Sequence, residues 1–191
     1  GAAVTREDAA APFVSRPALK FLDCESCNCC TLVCPNVAFF SLPTPVRSIA
    51  TTLLTLRNGL LERSVERFET TCESQWVVDA GFCNACGNCD TFCPESGGPH
   101  QSKPRFFRNR PAYDDAAPGH GIFIEDAGEC VASRFDGVEH RLERSGSGWR
   151  FANDAIEAGI DEAGTLLEAR TLVPRDGATL RLAHFHGLRL L

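Results

Sequence analysis

Two runs of this chain share one cysteine spacing: CESCNCCTLVCP at residues 24–35 and CNACGNCDTFCP at residues 83–94. Each run has the form C-x2-C-x2-C-x3-C-P, which is typical of iron–sulfur ligation. A cubane cluster needs four thiolates from different directions, and a tight loop turns every third side chain inward. The spacing therefore predicts two [4Fe–4S] clusters and a role in moving single electrons.

The fourth cysteine of each run begins the next segment, so it points away from the cluster that its own loop surrounds. In two-cluster ferredoxins this cysteine binds the other cluster. The prolines that follow, Pro35 and Pro94, fix φ and remove a donor, and Gly87 lets backbone approach the sulfurs closely. We expect cluster 1 to be held by Cys24, Cys27, Cys30 and Cys93, and cluster 2 by Cys83, Cys86, Cys89 and Cys34.

The chain has 11 cysteines in 191 residues, far more than an ordinary intracellular protein. A disulfide scaffold is the usual interpretation of such a content, but these cysteines have metal-type spacing. Three remain outside the ligand sets: Cys29, Cys72 and Cys130. We interpret them as buried or incidental thiols; Cys29 could replace its neighbour Cys30, although the spacing favours Cys30.

The formal net charge is −6 before any cluster is counted, which argues against nucleic acid as a partner because phosphate binding needs a basic surface. No apolar run reaches membrane-spanning length, and no secretory segment is present. Labile cluster cysteines indicate a cytoplasmic location. The chain also lacks methionine, so we expect a processed chain, an expressed fragment or a piece of a larger polypeptide.

The expected fold class is α+β: a ferredoxin-like domain with two [4Fe–4S] clusters and an insertion, followed by a small, mainly β module. Residues 1–20 are interpreted as a linker or docking arm, residues 21–107 as the two-cluster domain, and residues 108–191 as the C-terminal α+β module. Within the cluster domain, residues 36–42 and 75–79 are predicted strands.

The insertion at residues 46–75 supports two interpretations. Asn58-Gly59 between two apolar runs is a hairpin signal, whereas Leu61, Val65 and Phe68 have helical spacing. In the C-terminal module, residues 121–125, 129–135 and 138–142 are predicted strands separated by turns. Residues 154–170 are predicted to be a helix, and residues 179–191 a further strand.

Two smaller groups of residues remain outside this scheme. His184 and His186 would share one face of a strand, but without a nearby third ligand we favour packing or surface roles. Arg105, Arg108 and Arg110 are basic within an acidic chain; we interpret them as a solvated loop, with a docking patch for an acidic partner as the alternative. No catalytic residue is predicted.

The sequence also resembles a known family beyond its cysteine spacing. The run at residues 82–94, with Val33-Cys34-Pro35-Asn36 and with Lys103 followed by Phe106-Phe107, resembles the C-terminal region of the family named "putative selenate reductase". These are large flavin and iron–sulfur oxidoreductases similar in part to the small subunit of glutamate synthase. The C-terminal module, from its Gly-Ile-Phe strand to Gly187-Leu188, is similar to the same family's tail.

The resemblance implies a tail that relays electrons between a flavin module that oxidises NAD(P)H and a partner reductase. This chain departs from the family because it has no G-x-G-x-x-G after a strand; Ser145-Gly146-Ser147-Gly148 is too short. We therefore expect a flavin-containing module or subunit as a partner and no nucleotide site within the chain.

Two other functions compete with an electron relay. A structural zinc protein with a scaffold role would use pairs of cysteines, whereas each run here has three close cysteines and a Cys-Pro. An enzyme acting on its own substrate at a cluster would need a general acid or base near the runs, and the sequence offers no clear one.

Overall fold

The computed structural model describes residue 22 and residues 24–191, so the predicted arm at residues 1–20 lies outside the described residues. Its strands are β1 Phe39–Pro43, β2 Arg47–Arg57, β3 Leu60–Thr70, β4 Ser74–Asp79, β5 Arg105–Phe107, β6 Gly121–Glu125, β7 Cys130–Phe135, β8 Val138–Ser145, β9 Gly148–Ala152, β10 Ile156–Asp161, β11 Leu166–Thr171 and β12 Thr179–Arg181. Its helices are α1 Cys29–Val33, α2 Asn88–Phe92, α3 Pro99–Ser102, α4 Arg110–Asp115 and α5 Leu182–Leu188.

Nine strands form one mixed sheet in the order β1-β4-β5-β6-β7-β8-β9-β10-β11. The β4–β5 and β5–β6 pairs are parallel and all the others are antiparallel. The expected α+β fold with a two-cluster ferredoxin-like domain is therefore wrong, because the described chain is mainly β and its helices are one or two turns long. The short strand β5 continues the sheet from the cysteine runs into the C-terminal antiparallel strands.

The insertion is a β-hairpin, which decides between the two interpretations of residues 46–75. Strands β2 and β3 pair from Arg47↔Thr70 to Arg57↔Leu60. Asn58 and Gly59 connect them with φ values of 49° and 78°, the positive pair that a two-residue hairpin turn needs to match strand twist. The helical spacing of Leu61, Val65 and Phe68 was therefore fortuitous.

The predicted helix at residues 154–170 is wrong, since this segment forms strands β10 and β11. Ile156, Ala158 and Ile160 are buried while the residues between them are partly exposed, which is the two-residue period of a strand. Gly164, with φ of 91°, turns the chain between the strands. The apolar residues that suggested a helix belong to two separate strands.

The predicted strand at residues 179–191 is a strand for three residues only, and it continues as helix α5, which ends at Leu188. Strand β12 pairs with β2 of the hairpin, giving a second, three-stranded sheet in the order β12-β2-β3. Leu54 and Leu56 of the hairpin share one apolar core with Leu180 and Phe185. The C-terminal end of the chain thus packs on the insertion between the two cysteine runs.

The division into domains at residues 107 and 108 stays a prediction, although the nine-stranded sheet includes strands from both sides of it. The strands predicted at 36–42, 75–79, 121–125, 129–135 and 138–142 correspond to β1, β4, β6, β7 and β8. Among the described residues, no helix has the length and apolar character of a membrane span.

Candidate metal centres

The two cysteine loops have the same unusual backbone. Ser26 and Ala85, which precede the second cysteine of each run, have φ values of 50° and 53°. Asn28 and Gly87, which follow that cysteine, have φ values of 64° and 80°. Left-handed conformations are costly for residues with a Cβ and are concentrated at functional sites. The repeated residues therefore hold each loop in a curl that brings its first three cysteines to one side.

Each loop then enters a one-turn helix that begins next to its third cysteine. Cys30 in α1 and Cys89 in α2 are buried, with 9% and 5% exposure. Both helices end at the fourth cysteine, where Cys34 and Cys93 have extended φ and ψ values, as a residue before proline prefers. The turn into extended chain directs the fourth cysteine away from its own loop.

A first cavity is lined by the first three ligand cysteines of the first run and by the fourth cysteine of the second run. Its lining includes Cys24, Cys27, Cys30 and Cys93. Cys29 lines the same cavity beside Cys30, and Trp76 of β4 forms part of its wall. Cys24 and Cys30 are buried, whereas Cys27 is exposed. The four cysteines expected for cluster 1 therefore lie together around one space.

A second cavity has the complementary composition. Its lining includes Cys83, Cys86, Cys89 and Cys34. Phe39 of β1 and Gly87 complete part of its wall, and Cys86 is the exposed cysteine here. The structure thus groups the eight cysteines with the fourth member exchanged between the runs. The donor set of four thiols around each cavity fits the thiolate ligation of an Fe–S cluster.

Among residue 22 and residues 24–191, no three His, Cys, Asp or Glu side chains are placed to hold a single metal ion. That geometry is required when several ligands bind one ion. A [4Fe–4S] cubane differs, because each of its four irons takes one thiolate.

Hydrogen-bond donors approach the sulfurs in both cavities. The backbone N–H of Ala38 donates to Cys34 Sγ at 3.3 Å, and that of Glu95 donates to Cys93 Sγ at 3.4 Å. His100 Nδ1 lies 3.4 Å from Cys89 Sγ. Such donors stabilise negative charge on sulfur and influence the potential of a cluster.

Burial opposes ionisation of the third cysteine in each run. Burial raises the pKa of the Cys30 thiol to about 12, an effect that nearby cysteines increase and Lys103 opposes. Burial also raises the pKa values of Cys89 and Cys93. Because metal ligation needs thiolates, iron binding at these positions would release protons.

Two residues of the site were not predicted to lie near the cysteines, although Lys103 was among those that carry the family resemblance. His100, interpreted as an isolated histidine, lines the second cavity, and Lys103 lines the first. Both belong to the segment around α3, and only its path between the loops reveals their proximity to cysteines. Glu95, which is 8% exposed, also lines the first cavity.

Two of the remaining cysteines and two of the three arginines have partners within the chain. The Cys72 thiol donates to the Cys24 carbonyl at 2.9 Å, and Cys130 donates to Glu125 at 3.4 Å. Arg108 binds Asp79 at 2.7 Å, and Arg110 binds Asp114 at 2.9 Å. These ion pairs occupy much of the basic group that we considered as a docking patch.

His184 and His186 do not share a face, because they lie on helix α5. His184 packs against Phe135 and His140, with ring centroids 4.6 Å and 5.3 Å away. His186 contacts Phe68 and Phe185 instead. Both histidines thus have the packing roles that we favoured over metal ligation.

Comparison with known proteins finds relatives that are named as an oxidoreductase. The chain is 32% identical over 115 residues to proteins named "Putative oxidoreductase YgfK" from Escherichia coli K12 and from Escherichia coli O157:H7. The match includes 60% of this chain but only 9% of each relative's length. No family model matches the sequence, and no solved structure matches the fold at a significant level. The similarity therefore indicates distant homology to an oxidoreductase and nothing finer.

Proposed function

We propose that this chain is an electron-relay unit with two [4Fe–4S] clusters, one held by Cys24, Cys27, Cys30 and Cys93 and the other by Cys83, Cys86, Cys89 and Cys34. The observation that carries the proposal is the grouping of these cysteines around two cavities, each with three members of one run and the fourth of the other. A bound cluster supplies one-electron redox chemistry.

The chain's own residues would bind the two clusters, shield them from water and fix their orientation. The left-handed residues of each loop curl the backbone around the sulfurs. Ala38, Phe39 and Val78 form the small apolar core between the sites together with Cys30 and Cys89, and thereby exclude water from their inner sides. Cys27 and Cys86 remain exposed, so each site has one side toward solvent through which a redox partner can approach.

The partners belong to the same proposal. We infer a flavin-containing module or subunit that oxidises NAD(P)H as the electron donor and a partner reductase as the acceptor. The homology to a protein named as an oxidoreductase and the acidic net charge support this role. Because this chain spans 9% of that relative, the activity and substrate of the larger protein are not assigned to it. The cytoplasmic location expected from labile thiolates is also a proposal.

Anaerobic purification of the chain tests cluster binding. We expect a brown protein with about eight irons per chain, since each of two clusters has four. The ligand exchange is tested by Cys34→Ser, which should leave about four irons and the same EPR signal as Cys83→Ser. Cys130→Ser is the control, because Cys130 is buried outside both cavities, and it should retain all the iron.

Two outcomes would contradict the proposal. A colourless protein that contains zinc and no iron would show that the structural zinc function is correct. If Cys34→Ser instead gives the EPR signal of Cys24→Ser, each run binds its own cluster and the exchange is wrong.

A further inference from the structure

Helix α3 and the residue that follows it lie between the two cavities. Pro99 and Lys103 line the first cavity, whereas His100 lines the second. His100 and Lys103 are only three residues apart in this short segment. Even so, their side chains lie beside different groups of four cysteines. This segment therefore gives each site a different neighbour.

Lys103 is a buried cation that the described protein leaves without a partner. Its side chain is only 1% exposed, and among the described residues its Nζ has no hydrogen-bond partner. Burying an ammonium group is costly unless an anion compensates it. Since Lys103 lines the cavity of Cys24, Cys27, Cys30 and Cys93, an anionic group bound by these cysteines would provide the compensation.

The charges around the first cavity are few. Lys103 lines this cavity together with Cys30 and is only 1% exposed. Glu95 lines the same cavity and is 8% exposed, while Glu25 is exposed at its edge. Exposed charges are screened by solvent, so Lys103 and Glu95 dominate the local field.

The described lining of the second cavity contains no Asp, Glu, Lys or Arg. Its polar neighbours are the N–H of Ala38 on Cys34 and the His100 ring on Cys89. These are hydrogen-bond contacts to sulfur, which affect a cluster through dipoles. A full charge in a buried place has a stronger effect on an added electron than a neutral donor has.

We propose that Lys103 is the fixed counter-charge of the first cluster and raises its midpoint potential, while the second cluster has no such cation. The inference rests on the proposed function, because it requires both clusters. An electron supplied by dithionite adds one negative charge to a cluster without forming a bond or moving a proton. The ammonium group of Lys103 stabilises that added charge at the first site only.

Redox titration followed by EPR tests the role of Lys103. Lys103→Met should lower one of the two midpoint potentials by about 59 mV or more, which is a tenfold change in the equilibrium for a one-electron step. The other potential should remain unchanged. Glu95→Gln should shift the same potential upward, since it removes the opposing charge. His100→Leu should instead shift the other potential downward by a smaller amount.

Iron content separates the inference from the proposed function. Wild-type protein without iron contradicts the electron-relay function itself. A full complement of iron in Lys103→Met with neither potential shifted, or with both shifted equally, contradicts the counter-charge alone.

Variants that lose iron are also informative. If Lys103→Met and Lys103→Gln both lose half of the iron while Lys103→Arg retains it, the positive charge is required and the inference holds. If all three variants lose iron equally, Lys103 acts through packing and the inference is wrong.

Discussion

The cysteine region and the C-terminal strands differ in what fills their interiors. Between the cysteine loops, the buried core has five residues, and two of them, Cys30 and Cys89, are predicted ligands. The other core has fifteen buried apolar residues, which come from the hairpin, strands β6 to β10, β12, helix α5 and the connecting residues Ala155 and Ala178. Buried apolar surface is the main source of folding free energy. The C-terminal region therefore has a large packed core, whereas the cysteine region has little apolar packing of its own, and we expect it to depend on the proposed clusters for its stability.

Removal of iron should have the largest effect and should affect the two regions unequally. We expect a chelator under reducing conditions to abolish amide protection in residues 24–35 and 83–102, because metal binding contributes folding free energy to small sites. Strands β7 to β10 should keep their protection. Hydrogen exchange with mass spectrometry measures both, and uniform loss of protection would show that the regions fold as one unit.

Phe151→Ala tests the other side of the comparison. Phe151 is fully buried and stacks on His140, with ring centroids 5.4 Å apart, so truncation should lower the free energy of unfolding by about 3–5 kcal/mol. Denaturant unfolding followed by circular dichroism measures the loss. Iron content should be unchanged in native buffer.

The matched control for Phe151→Ala is Phe92→Ala, since Phe92 is 60% exposed on α2. That variant should change stability by less than about 0.5 kcal/mol. Equal losses in the two variants would contradict the difference in packing between the regions.

Acid should weaken the packed region through His140 and His184. Burial lowers the pKa of each imidazole from 6.5 to about 4, and their mutual repulsion adds to the shift of His140. Below pH 6.5 the two imidazoles therefore bind protons in the unfolded chain but not in the folded chain. The stabilisation is complete above pH 6.5 and is lost as the pH falls toward 4, by about 3 kcal/mol for each of the two imidazoles.

Thermal unfolding at pH 7.5 and pH 5 measures this loss in wild type and in a His140→Gln, His184→Gln double variant. The double variant keeps the cysteine region unchanged but lacks the two imidazoles. Its stability should depend less on pH than that of wild type. An identical dependence would show that neither histidine contributes.

Gly87→Ala should act on the cysteine region and should have a smaller effect than Phe151→Ala or acid. A Cβ at Gly87 would meet nothing within 4 Å, but the φ of 80° remains unfavourable for alanine. We expect a loss of about 1 kcal/mol and slower cluster loading. Gly59→Ala is the control: it has a φ of 78° and equally open space in the hairpin turn, so it should lose similar stability without affecting iron uptake.

The sequence was informative where a local rule determines the geometry. Cysteine spacing anticipated which side chains gather around each cavity, and Asn58-Gly59 indicated the hairpin. It failed at residues 154–170, where apolar residues of two strands mimicked a helical period because Gly164 reverses the chain between them. The fold class was wrong because strand pairing across β4, β5 and β6 depends on contacts distant in sequence. Lys103 was missed for the same reason, since only the path of α3 brings it to Cys30.

The packing of helix α5 on the β2–β3 hairpin has a practical consequence for shortened forms of the protein. A chain cut after residue 107 would keep both cysteine runs but uncover Leu54 and Leu56, which are at most 1% exposed in the intact fold. Leu180 and Phe185 would lose the surface that buries them in the other fragment. Such an exposed apolar face favours aggregation. Expression of the cysteine region by itself would therefore require polar substitutions at the two leucines. The alternative is to fuse residues 179–191 to the fragment, so that β12 and α5 still cover the hairpin.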